Sequence, residues 1–462
     1  MSTIHLHGLA VYQQQRCLLN PLDLDLHPGE ALTVLGESGS GKSLLAQAIM
    51  GTLPAGLRAE GELSTEDELR HHGRHYPLHD AANRRQLWGE LLAILPQEPV
   101  TALDPTMRVL PQVAEGWRKP GSGQDAARHS LAQLGLQTAQ RHYPHQLSGG
   151  MAQRVAFAAA TLGGARVLLA DEPSKGLDGG ACDTLRQLLQ QHLANGQCLL
   201  TITHDIALAR ALGGQVLVMR GGEVVEQGPA SRILSRPAHP YTQQLLAAEP
   251  QAWPTIAHPA AGDWLLQGRG LAKAYGKQQL FRDIDIDIAA GERVALLADS
   301  GAGKSTLGNM LLGLTAPDHG SVRRRDGLPR TAWQKLYQDP VQAFAPRVTL
   351  HTALHDVLKR CGQPWSSLEA LLARLRLSPA LLQRLPSQVS GGELQRLALI
   401  RTLLLQPALL FADEPTSRLD PVTQRDTMHC LRDELGRIGC ALLLVTHDVA
   451  LAGKSSARQI RL

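Results

Sequence analysis

One glycine-rich loop occurs twice in this chain of 462 residues, as GESGSGKS at residues 36–43 and as ADSGAGKS at residues 298–305. Each copy follows a short apolar run and precedes a helical pattern, which is the strand–loop–helix context of a phosphate cradle. In such a loop the backbone N–H groups and the helix N-terminus bind phosphate oxygens, the lysine adds a positive charge, and the serine after it can ligate Mg²⁺. The repeat therefore predicts two related phosphate-binding domains.

Composition argues against several other classes of protein. The balance of 46 basic and 42 acidic residues leaves a net charge of only +4, and 6 Trp, 6 Tyr and 4 Phe are few for a surface that stacks on bases. We therefore expect no nucleic-acid partner. The six cysteines lack paired metal-ligand spacing, which is typical of reduced thiols in the cytoplasm. No apolar run reaches the ~18 residues of a membrane span, so we expect any work at a membrane to go through a partner.

Four further motifs recur in the same order in both halves. They are a glutamine that ends a short apolar run (Gln97; Gln338), a Ser-Gly-Gly turn that opens a helix (Ser148, Gly149 and Gly150; Ser390, Gly391 and Gly392), an acid pair after an apolar run (Asp171 and Glu172; Asp413 and Glu414), and a histidine after a later strand (His204; His447). Matching positions lie 241 to 243 residues apart, so the halves are in register.

These residue types suit phosphate chemistry. A buried strand can hold the first carboxylate of each acid pair rigidly for Mg²⁺ and place the second where it polarises water. The glutamine at a strand end can reach Mg²⁺ or the attacking water. The Ser-Gly-Gly turn is a second anion site, because it combines glycine with a helix N-terminus.

Two features between these motifs need interpretation. Tyr12 and Tyr275 precede the two loops by similar distances, between predicted strands such as Ile4–Leu9 and Leu22–Leu26, and we expect each tyrosine to stack on adenine. Much of the polar stretch Glu60–Arg85 is an insertion relative to the second half, and the stretch contains four histidines. A metal site is conceivable there, but an inserted solvated loop is favoured.

The motifs in this order resemble those of the nucleotide-binding domains of ABC transporters over nearly the whole chain. The resemblance implies an α/β fold with two P-loop NTPase domains, each a mainly parallel sheet with an antiparallel edge and an inserted helical subdomain. It also implies that the chain hydrolyses ATP with Mg²⁺. The implied catalytic residues are Glu172, His204, Glu414 and His447.

By the same resemblance, further residues bind nucleotide or metal. Those expected to contact ATP are Tyr12, Gly36, Ser38, Gly39, Gly41, Lys42, Ser43, Gln97, Ser148, Gly149, Gly150 and Asp171 in the first half, and Tyr275, Ser300, Gly301, Gly303, Lys304, Ser305, Gln338, Ser390, Gly391, Gly392 and Asp413 in the second. Those expected to hold Mg²⁺ are Ser43, Gln97, Asp171, Ser305, Gln338 and Asp413.

The segments after Gln97 and Gln338, and the stretch 237–246 with its His-Pro-Tyr, look most like those of oligopeptide, dipeptide and nickel importers. The resemblance implies that the chain supplies energy for uptake of a small peptide, nickel or a metal-chelating metabolite. The resemblance then implies two transmembrane permease subunits and an extracytoplasmic solute-binding protein as partners. It places the chain peripherally on the cytoplasmic face of the inner membrane, with both ATPase halves paired within one chain. Rival interpretations are a soluble tandem ABC ATPase acting on ribosomes or DNA, and a regulatory module with inactive sites.

The expected domains are residues 1–248 and 263–462, joined by a linker at 249–262 with no regular element of its own. The second half stops soon after its histidine, so we expect it to lack the C-terminal strands and the His-Pro-Tyr tail of the first. Ala298 stands where the first half has Gly36. We expect both sites to be active, because Ala298 removes no charged catalytic group.

Overall fold

A computed structural model describes residues 3–65, 74–254, 262–276, 278–298, 301–417 and 419–462, without the side chain of Arg74. The chain divides into two compact units, Met1–Leu246 (unit 1) and Ala247–Leu462 (unit 2). The domain boundaries given above stay a prediction. None of the helices among the described residues is both long and apolar enough to cross a membrane.

The regular elements of unit 1 follow in chain order. Its strands are β1 (Ile4–Gln13), β2 (Arg16–Leu26), β3 (Ala31–Leu35), β4 (Leu57–Thr65), β5 (Arg74–Pro77), β6 (Leu92–Leu95), β7 (Val167–Asp171), β8 (Cys198–Ile202), β9 (Gln215–Arg220) and β10 (Glu223–Pro229). Its helices are α1 (Lys42–Met50), α2 (Ala81–Arg85), α3 (Pro99–Ala102), α4 (Val109–Ala114), α5 (Gly123–Gln133), α6 (Gly149–Thr161), α7 (Gly179–Ala194), α8 (Ile206–Leu212), α9 (Ala230–Ile233) and α10 (Pro240–Ala247). Short 3₁₀ helices span Gln137–Arg141 and Pro144–Gln146.

Unit 2 repeats this order with fewer elements. Its strands are β11 (Trp264–Tyr275), β12 (Gln278–Ala289), β13 (Arg293–Leu297), β14 (His319–Arg324), β15 (Trp333–Leu336), β16 (Leu409–Asp413), β17 (Ala441–Val445) and β18 (Arg458–Arg461). Its helices are α11 (Lys304–Leu312), α12 (Leu350–Cys361), α13 (Trp365–Arg374), α14 (Gly391–Leu404), α15 (Pro421–Ile438) and α16 (Val449–Ser455). Its 3₁₀ helices span Pro250–Ala252, Arg330–Ala332, Pro340–Ala343, Pro379–Gln383 and Pro386–Gln388.

Each unit is built on a mainly parallel sheet, as predicted. The strand order is β10-β9-β3-β8-β7-β6 in unit 1 and β15-β16-β17-β13-β18 in unit 2, and only the β10 edge runs antiparallel. Strands β3, β8, β13 and β17 are buried throughout, because helices cover both faces of such a sheet. The glycine-rich loops and the acid pairs lie at the carboxyl ends of parallel strands, which is where ligands bind in open α/β folds.

A second, antiparallel sheet lies at the edge of each unit, in the order β2-β1-β4-β5 or β12-β11-β14. The prediction that Glu60–Arg85 forms a solvated loop is wrong in part. Strand β5 pairs with β4, with Leu63 opposite Tyr76, and helix α2 is capped by Asp80. Leu63 and Leu78 are buried beneath this extension, so apolar burial gives the insertion its structure.

The four histidines of this insertion do not form a metal site among the described residues. His71 and His72 lie outside the described residues, and no group of three or more His, Cys, Asp or Glu side chains that could hold a metal occurs in the remainder. His75 instead faces Glu62, with Nδ1 2.9 Å from the carboxylate. This pair is largely exposed to solvent.

Three other expectations need correction. Strands β1 and β2 are longer than predicted, so Tyr12 lies within β1 rather than between strands. Unit 2 keeps one of the C-terminal strands that we expected to be missing, because β18 pairs with β13 as β9 pairs with β3. The predicted linker begins with a 3₁₀ helix, and Trp253 after it packs in the core of unit 2, where its indole N–H donates to Ala248 O at 3.0 Å.

Candidate active sites

The glycine-rich loop of unit 1 connects β3 to α1. Gly39 and Gly41 have φ of 81° and 101°, a left-handed conformation that side chains disfavour. No side chain caps α1 at its N-cap Gly41, and a helix N-terminus is a favourable position for an anion. Lys42 is buried, and its Nζ donates to the carbonyl oxygens of Gly36 and Glu37, both at 2.8 Å. Ser38 and Ser43 are exposed at the same loop.

Gly36 is required for a steric reason that the sequence did not reveal. A Cβ built on Gly36 would lie 2.4 Å from the carbonyl oxygen of Met219 on β9 and 2.7 Å from the hydroxyl of Ser40. A side chain would therefore force the loop or the strand to move.

The loop of unit 2 has the same conformation where it is described. Gly301 and Gly303 have φ of 82° and 92°, and Lys304 Nζ donates to the carbonyl oxygen of Ala298 at 2.6 Å. The predicted contact Ser300 lies outside the described residues. Ser305 donates a hydrogen bond of 2.5 Å to Asp413 Oδ2, which joins two predicted Mg²⁺ ligands.

The first carboxylates of the two acid pairs end strands β7 and β16. Burial, helped by the neighbouring charge of Glu172, raises the pKa of Asp171 to about 6, although Lys42 acts in the opposite direction. Asp171 Oδ1 is buried without a hydrogen-bond partner among the described residues. Such an oxygen is costly unless a cation or donor satisfies it. Burial likewise raises the pKa of Asp413, and the bond from Ser305 opposes the shift.

The second carboxylates face the predicted histidines. Glu172 and Glu414 both have φ of 46°, a rare conformation for residues with side chains and one often found at functional sites. His204 Nδ1 lies 2.7 Å from Glu172 Oε2, and His447 Nδ1 lies 3.4 Å from Glu414 Oε1. Burial would raise the pKa of both glutamates, but the bond and charge of each histidine hold it below the usual value.

The two glutamines are placed differently. Gln338 Nε2 donates to Glu414 Oε2 at 3.0 Å. Because His447 contacts the same carboxylate, three predicted site residues of unit 2 lie together. Gln97 is partly exposed, and no matching bond to Glu172 exists among the described residues. Gln338 therefore contacts another predicted site residue, while binding of Mg²⁺ or water by either glutamine stays a prediction.

The Ser-Gly-Gly turns open helices α6 and α14. Ser148 and Ser390 are the N-caps, and each hydroxyl accepts a hydrogen bond from the backbone N–H three residues later. In unit 2, Glu393 also accepts from the N–H and hydroxyl of Ser390, at 2.9 and 2.8 Å, in a capping box. Gln153 Nε2 donates to Pro173 O at 3.0 Å, so α6 is joined to the segment that follows Glu172.

The tyrosines predicted to stack on adenine both carry a nearby cation. The guanidinium of Arg58 lies 4.7 Å from the ring centre of Tyr12, and Lys273 Nζ lies 5.7 Å from that of Tyr275. Tyr275 is 57% exposed. Adenine stacking stays a prediction for both.

Two residues near the sites were missed. Lys335 Nζ lies 3.9 Å from Asp413 Oδ2, and only a strand-by-strand alignment could have drawn attention to it. Tyr241 is almost completely buried, and its hydroxyl accepts a hydrogen bond of 2.8 Å from the backbone N–H of Glu37 in the loop. The His-Pro-Tyr stretch was recognised as a family feature but was not connected with the loop.

Comparison with known proteins identifies the family of the chain. A family model described as ABC transporter matches residues 19–175 and 281–417, and one described as oligopeptide/dipeptide transporter, C-terminal region, matches residues 225–263. An uncharacterized ABC transporter ATP-binding protein, YejF of Escherichia coli K12, is 33% identical over 96% of this chain and 89% of its own length. The glutathione import ATP-binding protein GsiA of Salmonella typhi is 34% identical over 96% of this chain and 81% of its own.

Among solved structures, one described as RNase-L Inhibitor superposes with a TM-score of 0.69 over 98% of this chain and 87% of its own. At 21% identity this likeness shows the fold alone. The predicted resemblance and fold class are confirmed. The chain belongs to the ABC transporter family and is an ATP-binding ATPase with two domains of that family.

Proposed function

We propose that this chain is the energy-coupling ATPase of an importer for small peptides or glutathione-like peptides. The observation that carries the proposal is the match of residues 225–263 to the C-terminal region of oligopeptide and dipeptide transporters, attached to two ATPase domains. The relative named for glutathione import supports the same class of solute. Nickel and metal chelates, which the sequence also suggested, gain no support from these relatives.

The residues present fit Mg²⁺. The unpartnered buried Oδ1 of Asp171 and the adjoining oxygens of Ser305 and Asp413 are hard oxygen donors of the kind that Mg²⁺ prefers. Asp171 with Ser43, and Asp413 with Ser305, would hold the ion, and Gln97 and Gln338 would complete the sets. When bound, Mg²⁺ neutralises charge on the β- and γ-phosphates.

The protein groups then have separate roles. Lys42 and Lys304 bind phosphate oxygens together with the loop N–H groups. Glu172 and Glu414 stay ionised at neutral pH, so each can accept a hydrogen bond from the attacking water and orient it. His204 and His447 hold these carboxylates in place through Nδ1.

We further propose that the chain acts at the cytoplasmic face of the inner membrane through two permease subunits and a solute-binding protein. The pairing of both halves within one chain is part of the same proposal. The alternative is a soluble tandem ATPase that acts on ribosomes or DNA. The likeness in fold to the structural neighbours is compatible with it, but it does not explain the importer-type C-terminal region at residues 225–263.

Uptake tests the proposal. A strain without the gene should lose uptake of radiolabelled dipeptide, tripeptide or glutathione, and the wild-type gene should restore it. A gene with Glu172→Gln and Glu414→Gln should not. Normal uptake of all three solutes, with a changed polysome profile in the mutant strain, would favour the ribosomal alternative and reject the importer.

A further inference from the structure

The His-Pro-Tyr stretch of unit 1 contacts the glycine-rich loop directly. Tyr241 is the second residue of α10 and is only 2% exposed, and its hydroxyl accepts the 2.8 Å bond from Glu37 N. The guanidinium of Arg220 lies 5.1 Å from the centre of the same ring. A buried phenol with an aligned backbone donor has a fixed position, because leaving the N–H unsatisfied is unfavourable.

The start of α10 is itself fixed to strand β10. The carboxylate of Glu226 accepts hydrogen bonds from the backbone N–H groups of Ala238 at 2.8 Å and His239 at 3.1 Å. His239 Nδ1 in turn accepts from the N–H of Tyr241 at 3.1 Å. Burial opposes ionisation of Glu226, but its hydrogen bonds hold the pKa below the usual value, so the carboxylate remains charged at neutral pH.

Two consecutive residues of the loop are therefore closely approached, Gly36 by strand β9 and Glu37 by the His-Pro-Tyr tail. The carbonyl oxygen of Met219 lies where a side chain on Gly36 would be, and Tyr241 binds the N–H of Glu37. The carbonyl oxygens of Gly36 and Glu37 are the ones that hold Lys42 Nζ. The position of this phosphate-binding lysine therefore depends on the part of the loop that the tail holds.

We propose that Glu226, His239 and Tyr241, which we call the tail clamp, are positioning residues that keep the loop of unit 1 in its phosphate-binding conformation. The tail clamp rests on the proposed ATP-binding role of this loop. It gives each residue of the His-Pro-Tyr stretch a role. His239 accepts a hydrogen bond from the first turn of α10, Pro240 is the first residue of that helix, and Tyr241 binds the loop. Asp299, which matches Glu37 in unit 2, lies outside the described residues, and the loop of unit 2 serves as the internal comparison.

The test compares nucleotide binding in the two units of one protein. The full chain is photolabelled with 8-azido-ATP and Mg²⁺ over a range of concentrations, and labelled peptides are assigned to unit 1 or unit 2. Tyr241→Phe keeps the ring but removes the hydrogen-bond acceptor. The 8-azido-ATP concentration that half-saturates labelling of unit 1 should therefore rise by about five-fold, as expected for one lost hydrogen bond. The concentration that half-saturates unit 2 should be unchanged. Glu226→Gln should also raise the half-saturating concentration for unit 1.

A control is Tyr76→Phe, which removes the hydroxyl of a partly buried tyrosine elsewhere in unit 1 and should leave both labelling curves unchanged. ATPase kinetics should show a higher KM for Tyr241→Phe with little change in kcat. If Tyr241→Phe lowers the Tm while labelling of unit 1 is unaltered, the contact only stabilises the fold and the tail clamp is rejected. If the wild-type chain labels in neither unit, the ATP-binding role of the loops fails as well.

Discussion

Unit 1 and unit 2 carry the same set of proposed catalytic side chains, but these side chains make different hydrogen bonds. The histidine–glutamate distance is 2.7 Å between His204 and Glu172 in unit 1 and 3.4 Å in unit 2, where Gln338 also donates to Glu414 at 3.0 Å. Glu172 instead accepts additional hydrogen bonds from the Thr203 hydroxyl at 3.4 Å and the His204 N–H at 3.3 Å. The motif fixes the residue types, whereas the neighbours decide which contacts are made.

The first carboxylates differ in the same way. Asp171 Oδ1 has no hydrogen-bond partner within the part of the chain that the structure describes, while Asp413 accepts a bond from Ser305 and lies near Lys335. A loop held by Tyr241 and restricted by Met219 adds to the contrast in unit 1. We infer that the two sites differ in their demands on Mg²⁺ and on the loop, although both retain the full set of charged groups.

The largest expected effect comes from removing both proposed water-orienting groups. Glu172→Gln with Glu414→Gln should still bind ATP but lose ATPase turnover by about 10² or more, because the amide cannot accept the proton of the attacking water. Phosphate release measures this, with Glu369→Gln on the exposed face of α13 as control. The single variants sharpen the comparison, since unequal losses would identify the dominant site. Full turnover in the double variant would contradict the assignment.

The next effect concerns Gly36 and Ala298. Gly36→Ala places a Cβ 2.4 Å from Met219 O, and overpacking of this kind costs about 2 kcal/mol, so thermal stability and ATP binding of unit 1 should both fall. The reverse change, Ala298→Gly, should alter stability by less than about 1 kcal/mol. Thermal melts and photolabelling of each unit provide the measurements. Equal tolerance of both changes would mean that the close approach at β9 is not restrictive.

Much of this comparison was visible in the sequence. The glycine-rich loops, acid pairs and histidines lie at strand and helix ends whose positions follow from apolar runs, so the parallel sheets could be predicted and these residues could be named as candidates. The Glu172–His204 and Glu414–His447 contacts were not predicted. A repeat in register made each signal far stronger than one copy would have been.

The remainder depends on tertiary contacts that no local pattern encodes. The bond from Glu37 to Tyr241 joins residues 204 positions apart, and the exclusion of a side chain at Gly36 depends on strand β9. Strand β5 was missed because the stretch is polar, although pairing with β4 stabilises it. Such effects appear only when sheet order is known.

Asp171 should make the stability of unit 1 depend on pH. Its pKa is raised from 3.8 to about 6, so the folded state favours the protonated form. The contribution of protonated Asp171 to the free energy of unfolding is fully present below about pH 4 and is lost as the pH rises through about 6. Without nucleotide and with EDTA, unit 1 should therefore lose on the order of 1–2 kcal/mol across this range relative to Asp171→Asn. Parallel pH curves for wild type and variant, from urea denaturation, would contradict the raised pKa.

The smallest expected effect tests why Asp413 differs from Asp171. Lys335 pairs with Phe411 on the neighbouring strand just as Ile94 pairs with Leu169, so the two units place a lysine and an isoleucine at one position. Burial lowers the pKa of Lys335, and its Nζ donates to Asn309 at 2.9 Å while lying 3.9 Å from Asp413 Oδ2.

A cation this close opposes a second cation at the same carboxylate. Lys335→Ile should therefore lower the Mg²⁺ concentration that half-saturates photolabelling of unit 2 by roughly two- to five-fold, and Ile94→Lys should raise that of unit 1, since solvent screening weakens the interaction. Each unit serves as the control for the other. If neither substitution changes the Mg²⁺ requirement of its own unit, the lysine acts only through packing against Tyr337 and Phe411, and the electrostatic difference between the two acid pairs must have another cause.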